Sequence, residues 1–223
     1  MLTVRNLTLA LLVAASATPA GALEMTERQV KIGPELTIPA ARTAAEALFK
    51  LDAAGSEPIL LVIDVRSGFA PAAMVVVDAV AALRSKVYAV IHSEAFGPGA
   101  VVAVFCARRF MFPHASMLFS PLLYESEKTM KESPPLPVEA ANAHIDRIYQ
   151  AVGKQIGMSA DELKKKSQAN WFLTAEEAKK AGLVDEVVSQ VTWQELVTET
   201  VEIKKTSTLT EKRPLPAVKE PTR

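Results

Sequence analysis

The chain has 223 residues, of which 49% are apolar, and its 25 basic residues balance 25 acidic ones. That length and composition predict one domain with a sizeable buried core, and the balanced charge excludes a strongly basic nucleic-acid-binding surface. With Cys106 as its single cysteine, the chain forms no intramolecular disulfide and no zinc site built from cysteine pairs. Cys106 lies in an apolar helical run, which predicts a buried, unreactive thiol.

The first 22 residues have the pattern of a cleavable export signal. Arg5 is a short basic region, residues 7–15 are apolar, and Ala20 to Ala22 offer small side chains before a cut. The apolar run is too short to span a bilayer, which needs about 20 residues. We therefore predict a signal peptide over residues 1–22, cleavage after Ala22, a periplasmic or secreted protein, and no stable membrane insertion after removal of the signal.

After the signal the chain alternates strands and helices, which is typical of an α/β domain. Apolar runs predict strands at residues 29–32, 59–63, 87–91, 110–112, 116–119 and 183–188. Apolar residues at helical spacing predict helices over 40–54, 75–83, 101–107 and 138–156. Capping boxes at Ser159 with Glu162 and at Thr174 with Glu177 predict two short helices.

The remaining segments are predicted as turns, a loop and a tail. Residues 64–71 and 93–100 are predicted turns, and the charged and proline-rich residues 125–137 a loop. One folded domain is predicted over 23–200, followed by a disordered tail over 201–223. The turn at 93–100 joins a strand to a helix, where an acyl-transfer enzyme would carry its nucleophile. After Ser93 that turn contains no serine, cysteine or threonine.

Three segments resemble the proteolytic subunit of the Clp protease, a serine peptidase of the crotonase-like superfamily. Residues 171–185 are similar to the family ending F-(L/M)-(S/T)-A-x-E-A-x-x-x-G-L-(V/I)-D. Residues 63–68 correspond to I-N-S-P-G-G, and Arg109 to Pro113 to R-F-x-x-P. The resemblance, over about residues 28–188, implies an α/β fold built as a Clp-protease and crotonase-like spiral of ββα units. It also implies that the long helix and the loop before it, residues 122–156, form an oligomerisation handle.

The resemblance places the family's catalytic triad on three positions that lack the required groups. The nucleophile of G-x-x-S-M-G falls on Gly97, the general base on Ser120 and the orienting aspartate on Asn170. Glycine offers no attacking atom, serine is not a base near neutral pH, and asparagine cannot stabilise an imidazolium. The oxyanion-hole positions fall on Gly68 and Pro98, and proline has no amide hydrogen to donate. The sequence therefore predicts a catalytically inactive homologue of a serine peptidase.

Two alternatives remain open. An active peptidase or hydrolase with a relocated nucleophile would use one of four serines near the predicted cleft, with His92 or His114 as base: Ser67, Ser93, Ser116 or Ser120. If the N-terminal segment is not a signal, the protein would be a cytosolic, inactive subunit of a mixed Clp ring.

Expected partners follow from the same resemblance, which implies rings. We expect a homo-oligomer, or a hetero-oligomer with an active relative, and a peptide as candidate ligand. His144, on the long helix, is expected to face solvent or an interface. Three scattered histidines predict no metal site, and no cofactor is expected.

Overall fold

The computed structural model of the chain describes residues 22–124, 137–188 and 190–193. The described elements, in chain order, are β1 (Ala22–Met25), β2 (Gln29–Ile32), β3 (Glu35–Leu36), α1 (Ile38–Ala54), β4 (Ile59–Val65), β5 (Ser67–Gly68), α2 (Ala70–Ala82), β6 (Val87–Phe96), α3 (Pro98–Val104), β7 (Arg108–Met111), β8 (Ser116–Phe119), α4 (Val138–Ile156), α5 (Ala160–Gln168), β9 (Trp171–Thr174), α6 (Ala175–Lys180), β10 (Glu186–Val187) and β11 (Gln190–Trp193). Residues 1–21 of the predicted signal, the predicted tail at 201–223 and residues 125–136 of the predicted loop lie outside the described residues.

The main sheet is mostly parallel. Strands β10, β7, β6, β4 and β2 lie side by side in that order and all run the same way. The first half of β6 pairs with β7 and its last residues pair with β8, which in turn pairs with β9 in antiparallel fashion. Two short parallel pairs, β1 with β11 and β3 with β5, complete the fold. This architecture confirms the predicted α/β class.

The core lies between the sheet and its helices. Ile59, Leu61 and Ile63 of β4 are fully buried against the helix side of the sheet. Leu60 and Val62, which point the other way, belong to a second and smaller apolar cluster. A strand buried on both faces needs such a continuous apolar run, as the sequence predicted.

Helix boundaries follow local chemistry. The Thr37 hydroxyl accepts the Ala40 amide at 3.3 Å, so α1 begins at Ile38, before the predicted start. Helix α4 spans Val138–Ile156, as predicted. Thr174 and Glu177 exchange both bonds of a capping box at α6, whereas at α5 the Ser159 hydroxyl accepts the Glu162 amide.

The predicted turns are shorter in the structure. Strand β6 continues to Phe96 and α3 begins at Pro98, which leaves Gly97 alone as the turn predicted over 93–100. The sequence did not indicate this extension, because the last part of β6 carries polar side chains. Ser93 and Glu94 do not enter the core but bond to Asp64 of β4 and to Arg66 in the turn after it.

Other boundaries were also wrong. The turn predicted over 64–71 contains the end of β4, all of β5 and the start of α2. The strand predicted over 183–188 is reduced to Glu186–Val187, because Leu183 and Val184 are buried in the loop after α6. Four further strands, β1, β3, β9 and β11, were not predicted.

Candidate functional site

Gly97 forms a sharp elbow between β6 and α3. Its φ of 49° and ψ of −107° lie in a region that is open to glycine and strained for other residues. The Gly97 amide donates to the Leu118 carbonyl at 2.8 Å, and the Gly97 carbonyl accepts the Val101 amide at 3.1 Å. Strand-turn-helix elbows of this kind carry the nucleophile in α/β acyl-transfer enzymes. This elbow carries no side chain.

Ser120 lies directly beside that elbow. A Cβ atom built on Gly97 would lie 3.2 Å from the Ser120 hydroxyl oxygen. The two residues meet because the end of β6 pairs with β8, and Ser120 follows β8 immediately. A side chain at position 97 would therefore contact position 120, but the contacting group is an alcohol and not an imidazole.

Asn170 lies at the same end of the β8–β9 pair as Ser120. Phe119 pairs with Trp171 at the end of the antiparallel ladder, and Ser120 and Asn170 are the chain neighbours of that last pair. Asn170 is exposed, with a φ of 54°, a left-handed conformation that asparagine tolerates. The backbone thus gathers the three predicted triad positions at one corner of the sheet, and their side chains supply neither a nucleophile activated by a base nor the base itself.

The two predicted oxyanion positions differ in what they offer. Pro98 is the first residue of α3 and is buried, and it has no N–H. Gly68, with a φ of 145°, lies so close to β3 that a Cβ there would be 2.4 Å from the Leu36 carbonyl oxygen. Of the two backbone positions, only Gly68 carries an amide hydrogen.

The segment after Ser120 lies against the start of α2 and against α4. The Ala70 amide donates to the Leu123 carbonyl at 2.7 Å, and the Leu122 amide donates to the Tyr149 hydroxyl at 3.3 Å. The helical spacing of apolar residues predicts that Tyr149 is buried in the core face of α4. No sequence pattern predicts which group bonds to its hydroxyl. The cavity under Gly97 is only about 10 Å³, room for about one water molecule. It offers no space for a substrate side chain.

The alternative serines do not face a histidine base. The Ser93 hydroxyl donates to the Asp64 carboxylate, whereas the neighbouring His92 is exposed, with its ring 5.2 Å from that of Phe112. His114 is exposed in the turn between β7 and β8. Within the described ranges, no hydrogen bond joins a histidine to a serine.

The other two serines lie on short strands. Ser67 is exposed on β5, and Ser116 is half-buried on β8, paired in register with Thr174. His144 is half-buried on α4, with its ring 5.4 Å from that of Tyr124.

Ionisation in this region reflects ion pairing and burial. Arg66, next to the Gly68 turn, donates to Glu94 at 2.7 and 3.2 Å, and this hydrogen bonding and the charge of Glu94 raise the pKa of the Arg66 guanidinium. Burial raises the pKa of the Cys106 thiol to about 12, which keeps it protonated and unreactive.

The described residues contain neither a metal-binding cluster nor a membrane-spanning helix. No group of three or more histidine, cysteine, aspartate or glutamate side chains in these ranges is placed to hold a metal ion. None of the helices described is both long and apolar enough to cross a membrane.

Comparison with known proteins agrees with this architecture. Residues 17–191 match the Clp protease family. The chain is 28% identical over 171 residues to ATP-dependent Clp protease proteolytic subunit 3 of Parasynechococcus marenigrum, covering 73% of this chain and 83% of the relative. It is 27% identical over 171 residues to the protein of the same description from a Synechococcus species, with the same coverage.

A further relative extends the comparison to a second subunit type. Proteolytic subunit 2 of the ATP-dependent Clp protease of Prochlorococcus marinus is 27% identical over 169 residues, covering 73% of this chain and 82% of the relative. Since the family match spans most of the chain and the sheet has the expected parallel architecture, the chain belongs to the Clp protease family.

Proposed function

We propose that this protein is an exported, catalytically inactive member of the Clp protease family that acts in binding or oligomeric assembly. It would assemble as a homo-oligomer or beside an active relative. The observation that carries the proposal is Gly97, a residue without a side chain at the strand-to-helix elbow. Acyl transfer needs an attacking atom activated by a base, and the three predicted triad positions supply no base.

Pro98 supports the proposal independently of the triad. Removing one oxyanion donor from a working site costs about 10²–10³ in rate. A nucleophile supplied by a neighbouring serine would still face a site with the Pro98 donor missing. The loss therefore affects transition-state stabilisation as well as the attacking group.

A binding role is supported by two surface features. A cavity of about 650 Å³ opens beside β2, β4 and β6 and is lined by apolar and polar side chains, including Val62, Val90, Phe112 and Lys31. That volume is within the usual range for ligand sites. Phe172 is 53% exposed on β9, next to the predicted triad corner. Such features suit a protein that binds a ligand without catalysing a reaction on it.

Active-site labelling tests the inactive assignment. We expect the purified mature protein to form no stoichiometric adduct with a broad fluorophosphonate probe, because no serine is activated by a base. Intact-mass analysis would detect an adduct, and peptide mapping would locate it. An adduct on one of the four candidate serines, abolished by its replacement with alanine, would refute the proposal in favour of a relocated hydrolase.

Export and domain limits belong to the same proposal: a signal over residues 1–22, a domain over 23–200 and a tail over 201–223. Support comes from the basic, apolar and small-residue order of the first 22 residues. N-terminal sequencing of the protein from separated cell fractions tests this. A chain that keeps Met1 in the cytosol would instead favour a cytosolic, inactive subunit of a mixed ring.

Assembly is tested by size-exclusion chromatography with light scattering on the mature protein. We expect a single species larger than one chain. A monomer over the whole accessible concentration range, alone and after mixing with an active Clp proteolytic subunit, would contradict the assembly role.

A further inference from the structure

A small cavity lies under the elbow, between the end of β8 and the helices α3, α4 and α5. We infer that this cavity binds one ordered water molecule, which bridges the hydroxyl groups of Ser120, Tyr149 and Ser167. The inference concerns the hydration of this corner of the fold, and it stands whether or not the protein is catalytically inactive. It gives a binding role to hydroxyl groups that the proposed function does not use.

The buried hydroxyl of Ser167 is the first observation. Ser167 lies on α5 one helical turn after Leu163, and residues four apart share a helix face, so both face the core. Ser167 is only 1% exposed, and its hydroxyl has no hydrogen-bond partner among the described residues. A buried hydroxyl is costly to leave unpaired, and most such groups bond to protein or to ordered water. Because Ser167 lines the cavity, a molecule bound there can supply the missing partner.

The size of the cavity selects the ligand. Its volume is about 10 Å³, which is close to the smallest space that holds one water molecule. A pocket for an organic ligand is usually at least about 300 Å³ in volume. The cavity therefore fits a single water molecule and excludes a substrate or a cofactor.

Two further hydroxyl groups line the same cavity. The Tyr149 hydroxyl accepts the Leu122 amide at 3.3 Å and, in the described structure, donates to no other group, so its hydrogen can point to the water. The Ser120 hydroxyl oxygen lies beside the elbow, 3.2 Å from the place of a Cβ atom on Gly97. Tyr149 and Ser167 donate to the water, and the water donates to Ser120. Three hydrogen bonds are the usual number for a buried water molecule.

The rest of the wall is apolar and includes Val101, Val152 and Leu163. A cavity with only such a lining stays dry, so the hydroxyl groups decide whether water enters. Small residues provide the space, because Gly97 has no side chain and Ser120 has a short one. The water links the segment after β8 to α4 and α5.

A high-resolution crystal structure of the mature chain tests the site directly. We expect a peak of electron density in the cavity, about 2.5–3.0 Å from the hydroxyl oxygens of Tyr149 and Ser167. An empty cavity in such a map would overturn the inference. A Ser167 hydroxyl that bonds instead to the Leu163 carbonyl, four residues earlier, would also overturn it.

A solution measurement tests the same site with two variants. Ser167→Val replaces the hydroxyl with methyl groups that fill the cavity. Ser116→Ala is the matched control, at a half-buried serine of β8 that does not line the cavity. Magnetic relaxation dispersion of the water signal counts the water molecules that stay bound longer than the protein takes to tumble. We expect Ser167→Val to hold about one such molecule fewer than the wild type, and Ser116→Ala to match the wild type.

The same number of long-lived water molecules in all three chains would contradict the inference. If Ser167→Val does not fold, the crystal map of the wild type decides the question. Fluorophosphonate labelling of the wild type reports separately on the proposed inactivity, so either proposal can fail while the other stands.

Discussion

At the residue scale, Gly97 keeps the backbone of a catalytic elbow without its side chain. Holding any other residue at φ 49° and ψ −107° costs about 1–3 kcal/mol, and enzymes bear such strain where function requires it. In the inactive protein that we propose, that strain would bring no benefit, and glycine avoids it. The substitution at the nucleophile position thus fits a protein in which stability and not turnover depends on this corner.

This account predicts the effect of restoring a side chain. Gly97→Ala should lower the free energy of unfolding by about 1–3 kcal/mol, because of the backbone strain and the 3.2 Å approach to the Ser120 hydroxyl. Urea unfolding measures this change in the free energy of unfolding. Repeating the substitution in a Ser120→Ala chain removes the contact with the hydroxyl and isolates the contribution of backbone strain. Gly182, with a φ of 72° and nothing within 4 Å of an added Cβ, supplies the comparison. A cost for Gly97→Ala no larger than for Gly182→Ala would contradict the account.

Pro98 makes a second prediction at this scale. A chain carrying Gly97→Ser, Ser120→His and Asn170→Asp regains the three triad groups but still lacks one oxyanion donor. Adding Pro98→Ala should raise its rate of ester hydrolysis by about 10²–10³. Hydrolysis of an acyl-peptide ester, corrected for the folded fraction, measures the ratio. Equal rates with and without the proline would show that the amide at position 98 is not a donor.

At the element scale, the C-terminal end of α1 is capped by Arg28, which precedes β2 in the chain. The Arg28 guanidinium donates to the carbonyls of Leu51 at 2.9 Å, Gly55 at 3.1 Å and Glu57 at 3.0 Å. These carbonyls include ones left free at the helix C-terminus, where a cation is also favoured by the helix dipole.

Arg28→Met should therefore lower the free energy of unfolding by about 1–3 kcal/mol, because it keeps the aliphatic stem and deletes these bonds. Thermal unfolding monitored by circular dichroism measures it. Arg42 is an exposed arginine of α1 that makes no hydrogen bond or ion pair in the described structure, so Arg42→Met should change stability by less than about 0.5 kcal/mol. Equal effects of the two substitutions would rule out the capping role.

Asp52 joins the same helix end to the segment between α2 and β6. The Ser85 amide donates to its carboxylate at 2.7 Å, and this bond, with help from Arg84, lowers the pKa of Asp52 from 3.8 to about 2. A carboxyl whose pKa is depressed on folding adds stability above its unfolded pKa and loses it as the pH falls through the folded value. The loss should appear between about pH 4 and pH 2.

Urea unfolding across that pH range measures the effect, and Asp52→Asn should flatten the dependence. Asp78→Asn, at an exposed carboxyl of α2 without a hydrogen-bond partner in the described structure, should leave it unchanged. If the Asp52→Asn chain still loses stability steeply over this pH range, the loss comes from other carboxyl groups.

The elements differ in how far the sequence could predict them. Gln29–Ile32, Ser116–Phe119 and Val138–Ile156 match their predicted ranges, because period and propensity are local. The continuation of β6 through Phe96 was missed because Ser93 and Glu94 look like turn residues until their partners across the sheet are known. The bonds of Leu122 to Tyr149 and of Leu123 to Ala70 were missed for the same reason, because they join segments that no local pattern connects.

At the scale of the whole molecule, the first and the last strand that the structure describes pair with each other. Strand β1 runs parallel to β11, with Leu23 paired to Val191. Leu23 is 5% exposed and packs in the second apolar cluster, whose members also include Val62 and Phe110. The proposed cut after Ala22 would leave this leucine as the first residue of the mature chain. A cut a few residues later would remove it.

Cleavage position and stability are therefore linked. Leu23→Ala should lower the free energy of unfolding by about 2–5 kcal/mol, as for other buried leucines, whereas Val138→Ala, at a side chain 68% exposed, should change it little. A chain that begins at Thr26 should lose at least as much as Leu23→Ala, since it lacks the whole of β1. Intact mass and urea unfolding of these three variants and of the unsubstituted chain from Leu23 provide the comparison. If the chain from Thr26 is as stable as the chain from Leu23, the pairing of β1 with β11 adds no stability and does not constrain the cut site.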